Sequence, residues 1–143
     1  MIDSERNITI ETEGESILIT YIDEIKVDFV KMSYPILHPT LLIDDIRMLN
    51  LKDIAPMKLK AVTQRGSKKD FFDIFFLLKE MPLQTMLYLF KDKFKQYETF
   101  HVVKSLIYFE DAEQYPNPIL FDEKISWRKV KETIIKAVED LME

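Results

Sequence analysis

The run Asp70-Phe-Phe-Asp73-Ile-Phe-Phe-Leu-Leu78 leaves this chain little conformational choice. At about 3.6 residues per turn, its apolar side chains cover the whole circumference of a helix except at positions 70 and 73, which share one face. A helix that is apolar all round has to be buried by other elements, so it belongs inside a packed layer. Burying an unpaired carboxylate is expensive, so Asp70 and Asp73 need a pocket or cations beside them. That makes this segment the first place to look for chemistry.

The chain has the material to build such a layer. Its 143 residues suit a single domain, one that removes roughly 70% of the unfolded surface from water. A hydrophobic content of 47% with 31% charged residues is globular, and only two glycines argue against low-complexity architecture. The absence of cysteine excludes disulfides, thiolate metal sites, iron–sulfur clusters and cysteine nucleophiles. His38 and His101 are isolated, which argues against a histidine metal site, and both are treated as ordinary loop and helix residues. No N-terminal basic stretch leads into an apolar run, and no apolar segment approaches the ~20 residues of a membrane span. The expectation is a cytoplasmic protein without a membrane partner.

The net charge of −5 is unevenly spread. Residues 52–69 carry Lys52, Lys58, Lys60, Arg65, Lys68 and Lys69 against Asp53 alone, a local +5 that leaves −10 for the remainder. Such a patch binds phosphate or forms the solvated side of a helix.

Residues 8–32 alternate as a short antiparallel sheet, with strands over 8–10, 17–22 and 25–32 and turns at Glu13-Gly14-Glu15 and Asp23-Glu24. Tyr34-Pro35 ends the sheet, Pro35 and Pro39 enforce an extended connection, and 41–49 reads as strand–turn–strand with Asp44-Asp45 as turn residues. Asp53 is the expected N-cap of a helix over 54–65, with Pro56 in its first turn and Gly66 closing it. Ser67-Lys-Lys-Asp70 reads as a capping box opening the helix to residue 80. Helices over 82–97 and 100–109 follow, then a loop over 110–122 containing Tyr115-Pro-Asn-Pro118, and a last helix capped by Ser126. Strands first and about five helices after give an α+β fold. It is expected as one domain, 1–143, with a sheet part over 1–50 and a helical part over 51–143.

On the 54–65 helix, Ile54, Met57, Ala61 and Val62 form the expected inward face, and Lys58 falls on it. Arg65 follows two turns later. If the two helices pack antiparallel, these cations approach the acids of the next helix. The bland version is an ion pair from Lys58 or Arg65 to Asp73 that holds the helix pair together. Asp70 is also accounted for as the third position of the capping box, an explanation that does not reach Asp73. Asp28 is either the outward residue of an alternating strand or a metal or base carboxylate on the sheet face. Ser67 has no histidine at a telling spacing, and no glycine-rich phosphate loop exists.

Three stretches taken together carry a family resemblance: Asp53-Ile-Ala-Pro-Met-Lys58, Arg65-Gly-Ser-Lys-Lys69-Asp70 and Asp73-Ile-Phe-Phe. With Ile25-Lys-Val-Asp28-Phe-Val and Tyr34-Pro35 ahead of them, the sequence resembles the AbiEii/AbiGii nucleotidyltransferase toxins over residues 8–80. That resemblance implies a toxin of a type IV toxin–antitoxin and abortive-infection phage-defence system, with a DNA polymerase β-like palm and a helical C-terminal part. It implies transfer of a nucleoside monophosphate from a nucleoside triphosphate, with Mg2+, to RNA such as the tRNA acceptor end, and an antitoxin protein as partner. By the same resemblance Lys58 contacts the triphosphate, Asp70 is the essential acid, and Asp28 is the third palm carboxylate and a metal ligand. Arg65, Lys69 and Asp73 then support phosphate or RNA binding.

One departure stands out. The family opens its site with a Gly-Ser turn followed about ten residues later by Asp-x-Asp, and no Asp-x-Asp occurs in this sequence. A two-metal site needs several converging acids, and Asp28 alone is too few. The expectation is a partial nucleotidyltransferase fold, the C-terminal portion of such a protein, that binds no cofactor tightly and transfers nothing by itself, while an intact parent uses Mg2+ and a nucleoside triphosphate. The competing reading is a non-enzymatic RNA- or protein-binding module working through the basic patch 52–69. An open sheet edge would also favour a homo-oligomer.

Overall fold

The computed structural model describes residues 6–121 and 124–142. Three strands, β1 (Ile8–Glu13), β2 (Ile17–Ile22) and β3 (Ile25–Val30), form an antiparallel sheet in that order. Asp23 and Glu24 take φ of 50° and 69°, the two positive values a type I′ hairpin turn requires. The Asn7 amide donates to the Asp23 carboxylate at 3.0 Å and closes the end of the ribbon. The register places Ile22 beside Ile25 and Leu18 beside Phe29, so Ile8, Ile10, Val27 and these four share one apolar face. A bulge between Ile10 and Thr12 keeps β1 paired as far as Glu13, beyond the expected 8–10, and β3 stops at Val30 rather than at residue 32.

A short hairpin follows, β4 (Leu41–Ile43) and β5 (Ile46–Met48), with Asp44 and Asp45 at φ of 49° and 63° in its turn. Five helices succeed it: α1 (Leu51–Gln64), α2 (Lys68–Glu80), α3 (Leu83–Lys93), α4 (Thr99–Leu106) and α5 (Trp127–Glu139), with a 3₁₀ turn at Asp111–Gln114. The fold is α+β, as expected. Helix α1 packs against α2, α3 and α4, while α5 packs on α2 and α4. Phe71, Phe72, Ile74, Phe90 and Phe94 are buried at the centre of this helical body. The Trp127 ring stacks on Phe72 and meets Phe71 and Phe109 edge-on.

The chain forms two compact units, Met1–Pro35 and Ile36–Glu143. The sequence reading drew one domain with an inner border after residue 50; the β4–β5 hairpin instead belongs with the helices. The reason is local, because Leu37 and His38 donate their amides to Asp53 in the first turn of α1.

Several boundaries differ from expectation for identifiable reasons. Asn50 caps α1 by accepting from the Lys52 amide, so the helix starts before Asp53, and that carboxylate points inward. Pro56 consequently lies in the second turn, where a proline removes one helical hydrogen bond. The buried face of α1 runs through Asp53, Pro56, Leu59 and Lys60, whereas Ile54, Met57 and Ala61 are half-buried, because α1 has neighbours on three sides. Phe76 is exposed rather than part of the core, on a face of α2 that its main neighbours α1 and α5 leave open. Helix α3 ends at Lys93, where Phe94 leaves helical geometry with its ring fully buried beside Phe90. Helix α4 spans two turns rather than reaching residue 109.

Candidate functional site

The α1–α2 junction gathers four charges. Gly66, at φ 52°, reverses the chain after α1, and the amides of Arg65 and Gly66 both donate to the Ala61 carbonyl. That turn carries Arg65 back over the first turn of α2, where Asp70 is fully buried. The Arg65 guanidinium grips the carboxylate with two bonds, Nε to Oδ2 at 2.8 Å and Nη2 to Oδ1 at 2.9 Å. Ser67 donates its hydroxyl to Asp70 Oδ2 at 2.5 Å. The capping box is therefore not formed as expected: the serine side chain is spent on the acid instead of on a helix amide.

Lys58, from the middle of α1, lies 2.7 Å from Asp73 and 3.7 Å from Asp70. It is half-buried and bridges the two carboxylates singled out by the sequence. Burial pushes the Asp70 carboxyl up, but the bonds from Arg65 and Ser67 and the charges of Arg65 and Lys58 outweigh it and hold it below the usual carboxylate range. The hydrogen bond to Asp70 in turn raises Arg65, so this pair stays ionised at any ordinary pH.

Two clefts flank the cluster. One, of about 350 Å³, has Lys58 and Asp73 in its wall with Ile54 and Phe76. The other, of about 380 Å³, is lined by Arg65, Ser67 and Lys69 and by the loop 115–118. Lys69 is exposed and makes no ion pair among the described residues. The rest of the basic patch is largely engaged: Lys60 is buried with its ammonium 4.8 Å from the Phe94 and Tyr97 ring centres, and Lys68 lies near Glu113 and the Trp127 ring.

Lys58, Arg65, Lys69 and Asp70 thus come together in the helical unit. Asp28 belongs to the other unit, exposed on β3 opposite Ile19. Among the described residues no group of three or more histidines or acids is placed to hold a metal ion. The oxygens of Asp70 face two cations and a hydroxyl, a setting that suits a carboxylate holding a turn and does not fit a magnesium ligand.

A second polar centre has no counterpart in the sequence reading. Asp53 is fully buried, and its oxygens accept from the Leu37 amide at 3.0 Å, the His38 amide at 2.9 Å and Lys93 Nζ at 2.6 Å. His38 Nδ1 lies 3.0 Å from the same carboxylate. Burial alone raises this acid, and the amides and Lys93 together pull it down to about 2. Asp53 was findable, since 53, 56 and 60 repeat at helical spacing; Lys93, forty residues on, left no sequence signal.

A family described as "Nucleotidyl transferase AbiEii toxin, Type IV TA system" matches residues 2–142. An uncharacterized protein of Aquifex aeolicus (strain VF5) is 35% identical over 135 residues, which cover 92% of this chain and 64% of that protein. The chain therefore spans a little under two-thirds of the length of this curated relative. No solved structure matches it.

Proposed function

From the premise that this chain belongs to the AbiEii nucleotidyltransferase toxin family, we propose that its helical unit supplies the phosphate- and RNA-facing wall of a nucleotidyltransferase site. The intact enzyme would transfer a nucleoside monophosphate from a nucleoside triphosphate to RNA. The observation that carries this reading is the convergence of Lys58, Arg65 and Asp70 at the α1–α2 junction, within a chain matched by the family over nearly its whole length. Lys58 and Lys69 offer positive charge to phosphate, and Asp70 fixes the Arg65 guanidinium. Asp28 remains the one proposed metal carboxylate on this chain. Mg2+ and the nucleoside triphosphate are assigned to the complete site, where an Asp-x-Asp pair would hold them; an antitoxin protein is the proposed partner.

This division of labour predicts that the chain by itself transfers nothing. Incubated with radiolabelled nucleoside triphosphates, Mg2+ and total tRNA, it should leave the RNA unlabelled, and robust labelling would overturn the proposal of incompetence.

One observation favours a second reading. The oxygens of Asp70 are fully occupied by Arg65, Ser67 and Lys58, as in a structural hub, which suits a non-enzymatic RNA- or protein-binding module using the patch 52–69.

A further inference from the structure

We propose that the cleft between the start of α2 and the loop 115–118 binds one nucleoside phosphate unit, with its phosphate on Arg65 and Lys69 and its base against the Tyr115 ring. This deepens the nucleotidyltransferase reading and rests on it for the class of ligand; the cleft itself is argued from its walls.

Unlike the two clefts next to it, this cleft has cations and no acid among its described lining residues. The neighbouring cleft at Lys58 includes Asp73 and Glu80, and the one along the ends of α1 and α4 includes Asp111. An anion is therefore best accommodated at Arg65 and Lys69. Arg65 uses Nε and Nη2 on Asp70, which leaves Nη1 to a ligand while the bidentate grip fixes the guanidinium plane. Its side chain is 54% exposed, so the remaining donor is reachable.

The loop 115–118, which lines the same cleft, supplies what a base needs. Tyr115 is exposed, and its amide donates to the Ala112 carbonyl at 3.1 Å, which anchors the start of the loop to the 3₁₀ turn. Pro116 and Pro118 restrict the loop, so little ordering is left for the ligand to impose. Asn117 carries both a donor and an acceptor for a base edge. The volume of about 380 Å³ lies in the range of small-ligand pockets. Cations and an aromatic side chain in one lining are the pairing by which proteins hold nucleotides in single strands.

The nucleotide can come from a free triphosphate or from an RNA strand, and binding measurements on the intact chain separate them. Calorimetric titrations use a 5′-phosphorylated single-stranded tetraribonucleotide, ATP and inorganic tripolyphosphate. Y115L should weaken the nucleotide-bearing ligands about tenfold and leave tripolyphosphate unchanged; K69Q should weaken all three, with the melting temperature of both variants unaltered. Tighter binding of the tetranucleotide assigns the cleft to RNA and tighter binding of ATP to free nucleotide, each in support. Equal affinity of Y115L and the wild-type chain for tetranucleotide and ATP overturns the proposal, as does an undetectable wild-type interaction with both. Failure here is separable from failure of the functional reading, because the labelling assay does not depend on Tyr115 and these titrations do not depend on transfer.

Discussion

Asp53 carries more of the structure than any residue the sequence nominated. A carboxylate with no exposed surface holds two backbone amides, a histidine and a lysine whose side chain is equally buried. Removing one partner strands the other as an unpaired buried charge, so Asp53→Asn should cost about 3–5 kcal/mol, read as a fall in the urea midpoint. The pH dependence follows from the same contacts. Burial pushes Asp53 up, and the amides and Lys93 more than reverse that, giving a folded pKa of about 2 against an ordinary 3.8. A depressed acid stabilises the fold above its unfolded pKa and loses that contribution as pH falls through the folded value. Stability should therefore be flat above about pH 5 and decline between about pH 4 and 2. Asp70, also held low, contributes in the same direction. The Asp53→Asn variant should lose part of the slope in urea titrations across that window while the Asp70 share persists. At this scale the sequence was legible where charge and apolar residues alternate locally, as at Lys58, Asp70 and Asp73. It was silent where the partner lies far along the chain, as with Lys93.

The decisive element is the turn between α1 and α2. Gly66 at φ 52° is in the left-handed region, and a Cβ there would meet the Val62 carbonyl oxygen at 3.6 Å, an ordinary contact. Space is therefore not the constraint; backbone conformation is. Gly66→Ala should destabilise the chain by about 1 kcal/mol through the left-handed penalty alone, measured by thermal unfolding, and Gly66→Val by more. The existence and order of the helices were readable from apolar period and breakers. The caps were not, because Asn50 and Asp53 are equally good N-cap residues in sequence. The choice between them goes with the Leu37 and His38 amides, which donate to Asp53 while Asn50 accepts from the Lys52 amide. Likewise Ser67 had a helix amide and the Asp70 carboxylate within reach, and burial of that acid gave the hydroxyl to the carboxylate.

As a molecule, the chain divides its stabilising interior unequally. Every buried apolar side chain among the described residues lies between Ala55 and Val138, inside the unit Ile36–Glu143, whereas Thr20 is the one fully buried residue of the described sheet. A fragment spanning 36–143 should therefore keep a cooperative helical melting transition by circular dichroism; loss of cooperativity would show that the sheet is required for that core. No described helix is long and apolar enough to cross a membrane. The sequence by itself determined the α+β order, the burial of most of the 70–78 helix and the family, because hydrophobic period and a run of conspicuous residues are local properties of the chain. Only the tertiary structure decided which cation meets which acid, that Asp53 holds the amides of Leu37 and His38 instead of capping α1, and that Tyr115 lines one cleft with Arg65 and Lys69. Those pairings join residues forty to fifty positions apart in the Asp53–Lys93 and Arg65–Tyr115 cases, and the free energy that selects them comes from burial, which a linear pattern does not specify.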